Sequence, residues 1–424
     1  MLGSSTVGRP IGARVLKGCD LKLPRLTSIL VLGGCFSLSM LAQNTPQSRP
    51  DPQETPAPTP AQTPSQLPTL IPRTHEEREQ RYQTLHRLVL NTEVRDQSGK
   101  PVTGLTADDF TLLEDGKLRK ITSVKVVAGE SASAPTHVIL VLDGVNNSLR
   151  NIASDRKEIE KFLREHRDLS YPTSIAVLSD AGMRMGKQSH DGNFLVEELR
   201  GLGENLHPID CADDASTNES FRAVWMTGGV STPSSGHQLT CLNRRFVVSI
   251  SALERMAEDQ TNTPGRAILI WVGAGWPLLH EKQFRPDDAS LKQNLFAHLV
   301  FVSRGLREGQ VTLDLISPAS KFRQSELLND HETALLNGVS TEDEVTAGNL
   351  GLEELAHQSG GQVLIESKDL PAGIAACIAD ADAYYVLSFD SSPTTEPAAY
   401  HAIEVRVDRP GVVVRTNTNY YAEP

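Results

Sequence analysis

The stretch Thr136–Leu149, THVILVLDGVNNSL, carries the unbroken apolar run Val138–Leu142 straight into Asp143 and then, past Gly144 and Val145, into Asn146 and Asn147. A run without polar alternation marks a strand buried on both faces, as in the middle of a parallel sheet. Polar residues gathered at the carboxyl end of such a strand stand where open α/β sheets place their sites. The stretch therefore raises two matters: whether a parallel sheet surrounds it, and whether Asp143 serves an ion there.

The downstream sequence speaks to the first. Ser154–Leu169 spaces Ile159, Phe162, Leu163 and Leu169 on one helical face, with Asp155 and Glu158 at its start. Thr173–Asp180 (TSIAVLSD) reads as the next strand, and residues 248–260 (VSISALERMAEDQ) as a helix. Gly265–Gly275 (GRAILIWVGAG) is another strand, followed by a helix over Ser290–Leu306 with Leu291, Leu295, Leu299, Val302 and Leu306 three to four apart. VTLDLIS is a further strand, and Leu350–Ile365 (LGLEELAHQSGGQVLI) closes the series as a helix, Gly360-Gly361 and a strand. Repeated alternation predicts an α/β fold with a doubly wound, mostly parallel sheet over residues 135–382. Residues 200–247 lack clear periodicity and read as an insertion in it.

Both ends of the folded part read as β structure. LHRLVLNTEVRD alternates as a half-buried strand, and Asp115-Gly116 lies between two strand-like runs, a hairpin signal because both residues tolerate positive φ. About 50 residues with one apolar face need a second sheet to cover them. Ala383–Asp390, Tyr400–Asp408 and Gly411–Thr416 read as a three-stranded meander able to do so, with Arg409-Pro410-Gly411 as a tight turn. Residues 80–130 and 383–424 are thus expected to form an accompanying β-sandwich, with the α/β part inserted between them.

Ahead of this lies a different kind of sequence. Lys17, Lys22 and Arg25 precede the apolar run Leu26–Ala42, so residues 1–42 read as a secretory signal peptide cleaved near Ala42. Two alternatives are lipidation at Cys35, within LGGC, and an uncleaved anchor; the only membrane contact expected is through that anchor. Residues 43–79 form a proline-rich linker that can bury little. An exported chain, periplasmic, envelope-associated or secreted, is the expectation. A net charge of −12 without clustered Lys/Arg argues against a nucleic-acid partner.

The pieces VILVLDGVNN, GRAILIWVGAGWP, LGLEELAHQSGGQVL and the terminal YYVLSFD…YHAIEVRVDRPGVVVRTNTNYY, preceded by VRDQSGKPVTGLTADDFTLLEDGKLRKI, together resemble the bacterial VWFA-related family, whose core is a von Willebrand factor type A (VWA) domain. The resemblance spans nearly all of the chain after the linker. It implies a metal-ion-dependent adhesion site, in which Asp-x-Ser-x-Ser after the first strand, a later Thr and an Asp after a further strand hold Mg²⁺ for an acidic partner residue. Asp143 matches the first aspartate, whereas Val145 and Asn147 occupy the two serine positions. Gly273, Ala274 or Gly275 stands where the second Asp would fall. Asn146, Asn147 and Ser148 offer neutral oxygens, and Asp180 closes the neighbouring strand. Asp143 and Asn147 are accordingly the metal candidates of a degenerate site. The structural alternative has them hydrogen-bonding loop backbone and capping the following helix. No cofactor is expected, Mg²⁺ being the one ion to which the resemblance points.

After signal cleavage three cysteines remain. Cys211 and Cys241 flank a polar stretch that a disulfide would staple in an oxidising compartment, and Cys377 reads as a buried small residue. Catalytic signatures are missing: there is no G-x-S-x-G, no Walker loop and no C-x-x-C, and neither His75 nor His331 has the second His of a zinc helix. His298 and His357 read as surface or satisfied polar residues, and the pairs Asp108-Asp109 and Glu353-Glu354 as solvated. The expected function is a non-catalytic, exported VWA-like protein that binds an unknown protein or surface ligand. The alternatives are a metal-dependent adhesin with an altered ligand set and an α/β hydrolase-type enzyme.

Overall fold

The computed structural model describes residues 86–128, 135–204, 206, 208–209, 235–276, 289–318, 338–345, 351–365 and, single residues excepted, 367–422. The signal and linker readings for residues 1–79, with Cys35, and the position of Cys211 lie outside these residues.

The chain opens with β1 (Arg87–Asp96), β2 (Phe110–Glu114), β3 (Lys117–Arg119) and β4 (Ile121–Ala128). Asp115 and Gly116 join β2 to β3 with φ of 51° and 73°, the left-handed pair that a tight hairpin needs. The α/β part follows as β5 (Thr136–Asp143), α1 (Leu149–Glu165), β6 (Asp168–Ser179), β7 (Gly182–Met185), β8 (Ser189–Asp191), α2 (Gly192–Gly203) and α3 (Ser235–Thr261). It continues with β9 (Arg266–Val272), α4 (Ala289–Glu308), β10 (Val311–Ser317), α5 (Leu352–Gln358), β11 (Val363–Ile365) and α6 (Leu370–Ile378). Four strands end the chain: β12 (Ala383–Asp390), β13 (Tyr400–Val407), β14 (Val412–Arg415) and β15 (Asn419–Tyr421).

The central sheet runs β11-β10-β9-β5-β6-β7, with β8 also on β6. From β11 to β6 every pairing is parallel, and β7 and β8 lie antiparallel to β6 at the edge. Every residue of β5, β9 and β10 is buried, as the apolar runs require of strands covered on both faces. One core lies under α3, α4 and α5, and a second under α1, α2 and α6. The predicted doubly wound sheet is present.

Helix boundaries differ from the expectation. α1 starts at Leu149 instead of Ser154 because the Ser148 side chain accepts from Asn151 N and caps it there. It also ends earlier, since Leu169 belongs to β6. α3 begins at Ser235, so helix replaces the irregular insertion expected up to residue 247.

The two chain ends form two four-stranded antiparallel sheets, β14-β1-β12-β4 and β15-β13-β2-β3, around a shared apolar core that includes Leu90, Leu112, Leu387 and Phe389. The last strands are not a meander. β12 and β14 flank β1 in one sheet, while β13 joins β2 in the other, because the N-terminal strands take the places between them. Tyr421 ties this unit to the α/β core: it is buried beside Phe296, edge-on at 5.8 Å, and its hydroxyl donates to the Val339 carbonyl at 2.8 Å.

A buried charged network makes the second tie. Arg266, the first residue of β9, donates to Glu93 on β1, to Thr312 Oγ1 at 2.9 Å and to the Asp380 carbonyl at 3.2 Å, and lies 4.3 Å over the Tyr384 ring. Asp380 in turn receives Arg95 at 2.6 Å, Arg415 at 2.7 Å and Gln362 Nε2 at 2.8 Å. Asp314 sits among them, fully buried, and burial first, then the nearby Asp380, pushes its pKa up to about 8. It therefore carries its proton at neutral pH, which leaves the arginines to Glu93 and Asp380.

Removing one member of a buried pair strands the other, so Glu93→Gln is expected to cost about 3–5 kcal/mol in urea unfolding. Glu93→Leu combined with Arg266→Met should recover much of that loss. Asp314 gives a pH prediction. Its folded value lies above the ordinary ~4 of the unfolded chain, so the folded state holds a proton the unfolded state has released, and stability falls as pH rises from about 4 to about 8. Asp314→Asn should flatten part of that slope and raise the urea midpoint near pH 8.5. Part will remain, because burial also raises Glu93 against the pull of Arg266, and Asp155 and Glu354 are raised to about 6 and about 7.

Candidate functional site

β5 and β9 are neighbours, and the chain leaves them in opposite directions, from β5 toward β6 and from β9 toward β10. This is the switch point of a doubly wound sheet, where a crevice opens at the carboxyl ends of the strands. Asp143 ends β5 and Gly273 follows β9, so both candidate ligand positions fall at the same spot.

Asp143 is fully buried and both its oxygens are engaged. Oδ1 accepts from the backbone N–H groups of Val145 and Asn146, each at 2.9 Å. Oδ2 accepts from Asn146 Nδ2 at 2.8 Å and from the indole N–H of Trp271 at 3.0 Å. Val145 packs into the apolar core. Asn146 Nδ2 also donates to Ser249 Oγ at 2.8 Å, and Ser249 Oγ donates to the Arg245 carbonyl at 2.8 Å. The carboxylate thus organises the loop and holds it against α3 and β9.

Asn147 points elsewhere. Its Oδ1 accepts from Ser148 N at 3.0 Å and Asn151 Nδ2 at 2.9 Å, and its Nδ2 donates to Asp155 Oδ2 at 3.0 Å. The cap of α1 falls to Ser148, not to Asp143 or Asn147. Asp155 is buried in the second turn of α1, and its pKa is raised to about 6 by burial and then by the charge of Asp143, against the pull of the Asn147 amide.

A hard divalent ion needs several oxygens with lone pairs to give. Each oxygen of Asp143, and Asn147 Oδ1, already accepts two N–H donors. Gly273 supplies no side chain, and none fits there: a Cβ at this position would lie 2.6 Å from the Asp143 Cβ. The residues present therefore do not fit the Mg²⁺ arrangement that the resemblance implies. Asn146 Oδ1 stands apart as a buried oxygen with no donor among the described residues.

Sequence reading missed Trp271, Ser249 and Asp155. Trp271 carried a signal, since an indole N–H in a wholly apolar strand needs a buried acceptor. The other two lie on helix faces that only the fold brings to the loop. Around Trp271, Trp276 packs edge-on at 5.8 Å and Phe246 follows at 6.1 Å from Trp276, an aromatic floor under the crevice.

Among the other sequence candidates, Cys241 lies on α3 by its backbone, its side chain and the pairing with Cys211 falling outside the described residues. Cys377 is buried on α6, and burial together with Asp314 and Asp380 raises its thiol pKa. Glu354 is not solvated as expected: it is buried beneath α5, accepts from Gln358 Nε2 at 2.9 Å, and its pKa rises to about 7 through burial. Asp109 folds back onto Thr106 and closes a short turn (Ala107–Asp109) into β2. His298 Nδ1 pairs with Glu254 on the neighbouring helix.

No family model and no curated protein matches the chain. Among solved structures it is similar to a von Willebrand factor type A protein from Catenulispora acidiphila, at 11% identity over 80% of this chain and 74% of that one, with a TM-score of 0.26. It is similar also to the manganese-loaded TRAP protein of Plasmodium vivax, at 8% identity over 74% and 99% with a TM-score of 0.31. An aerotolerance-related membrane protein of Bacteroides fragilis follows at 9% identity over 58% and 98%, with a TM-score of 0.29. At such values no ligand or activity passes from these proteins to this chain. The VWA-related fold rests on the sheet order and on the loop that carries Asp143.

Gly273→Ala tests the packing at the switch point. The added methyl must displace Asp143 or the β9 backbone, and a loss of about 1–3 kcal/mol in chemical denaturation is expected.

Proposed function

We propose that this chain is an exported, non-catalytic binding protein whose VWA-like crevice works without a cation. Support comes from one observation: the carboxylate that would anchor an ion is saturated by four N–H donors, among them the Trp271 indole. Hydrogen bonds to an ionised acceptor are about twice as strong as neutral ones, and breaking two of them would offset much of what a single carboxylate gives a metal. Among the described residues, Ser249 is the hydroxyl that meets this loop. Ser249 Oγ, which reaches the Asn146 amide, spends its proton on the Arg245 carbonyl and not on a base. A partner would then be held by loop and helix surfaces around the crevice, the usual place for binding residues on a rigid sheet. Export is inferred from the basic-then-apolar Lys17–Ala42 region and the proline-rich segment behind it.

One observation favours the altered ion site as a second reading, the donor-free Asn146 Oδ1. Calorimetric titration of the full chain with Mg²⁺, Mn²⁺ and Ca²⁺ separates the two. No saturable heat and no rise in Tm with added metal are expected. Saturable binding at roughly 10 µM or tighter, lost in both Asp143→Asn and Asn146→Ala, would overturn the cation-free reading.

A further inference from the structure

The free edge of β4 carries a different kind of surface. β4 closes its sheet: among the described residues it pairs with β12 alone, so one side of an eight-residue strand presents unpaired backbone N–H and C=O groups. A single residue, Lys120, separates it from β3, the edge strand of the facing sheet, so the two edge strands follow each other in the chain. Leu118 is 73% exposed and Val126 50% exposed. Lys117, Lys120 and Lys125 are exposed too, and none of the three forms an ion pair among the described residues, whereas Arg119 is tied to Glu114. Asp109 is turned onto Thr106 and Asp115 of the β2–β3 turn onto His401, which leaves Asp108 as the carboxylate of the neighbouring turn without such a partner in these bonds. In a chain of net charge −12, this is a local excess of the opposite sign.

We propose that the β4 edge docks an extended acidic segment of a partner protein, which adds to the sheet as a further strand. Strand addition takes its affinity from main-chain hydrogen bonds and its selectivity from alternate side chains. Here one set of partner side chains would lie along Val126 and Val124, and the other would stand beside Lys125 and Ser123. Lysines on an open edge ordinarily repel unwanted strands. A second copy of this chain is disfavoured in the same way, because β4 against β4 brings like charges within cross-strand reach. An acidic strand meets the same lysines as attraction, so the charges that guard the edge also select its occupant. The proposal is independent of whether the crevice at Asp143 takes a cation.

The test measures fluorescence anisotropy of labelled peptides with the full chain. The probe is an eight-residue peptide of alternating Glu and Val, matched to the length of β4. Its controls are the Lys/Val counterpart and a Glu/Val peptide N-methylated at alternate residues, which keeps the charge but cannot complete a β ladder. The Glu/Val peptide is expected to bind, to weaken roughly tenfold at about 0.5 M salt, and to be lost in Lys125→Glu with Tm unchanged. The N-methylated and Lys/Val peptides are expected not to bind. No binding of the Glu/Val peptide, binding unaffected by Lys125→Glu, or equal binding of either control would overturn the proposal; equal binding of the methylated peptide would mark simple charge attraction.

Discussion

Arg266 is the residue on which both halves of the molecule depend. It begins a strand in the middle of the α/β sheet, yet its guanidinium is spent on Glu93, from the first strand of the chain, and on the Asp380 carbonyl, just before the twelfth. A charge buried this completely persists only when it is paired and most of its N–H groups are satisfied; here Nη1 and Nη2 are, and among the described residues Nε is not. Satisfying them requires the β-sandwich to be in place against the parallel sheet. Asp380 extends the requirement, since Arg95 and Arg415 reach it from two neighbouring strands of the sandwich. Buried polar pairing of this kind specifies one arrangement of the two parts more than it adds stability, because hydrophobic replacements of similar volume often serve stability as well.

At the opposite ends of the same strands the logic inverts. Asp143 is a buried carboxylate without a cationic partner in any ion pair among the described residues, held instead by two backbone and two side-chain N–H groups. The aromatic floor of Trp271, Trp276 and Phe246 keeps water away and makes those donors count for more. The conformation of this loop is fixed around a charge by an indole, an asparagine amide and two backbone N–H groups.

Much of this was legible in the sequence. The apolar runs at Val138–Leu142 and Ala267–Val272 announced buried parallel strands, and Asp143 at the end of the first announced the loop at the switch point. Other features were out of reach because they depend on tertiary placement. Nothing local distinguishes a C-terminal meander from strands interleaved with the chain start, since alternation reports a half-buried face and not a neighbour. The start of α1 was misplaced because Ser154-Asp155 offers a start signal as good by composition as Ser148, which is the cap. Asp155 read as a helix-start residue and Glu354 as solvated, and only the packing of α1 and α5 onto the sheet buries them. Lys117, Lys120 and Lys125 stand within nine residues of one another in the sequence, but only the sheet order shows that β4 has a free edge beside them.

The interleaving of chain start and chain end also has a temporal side. A polypeptide is made from its N-terminus, so β1 to β4 leave the ribosome with apolar faces complete and no partners to cover them. β12, which lies between β1 and β4, is separated from them by the whole of residues 129–382. Contacts this distant in sequence form late, and until they do, Leu88, Leu90 and Val94 stay open to any passing strand. The early product is thus a set of half-sheets waiting for the last forty or so residues, and its survival is a matter for whatever keeps nascent β segments apart.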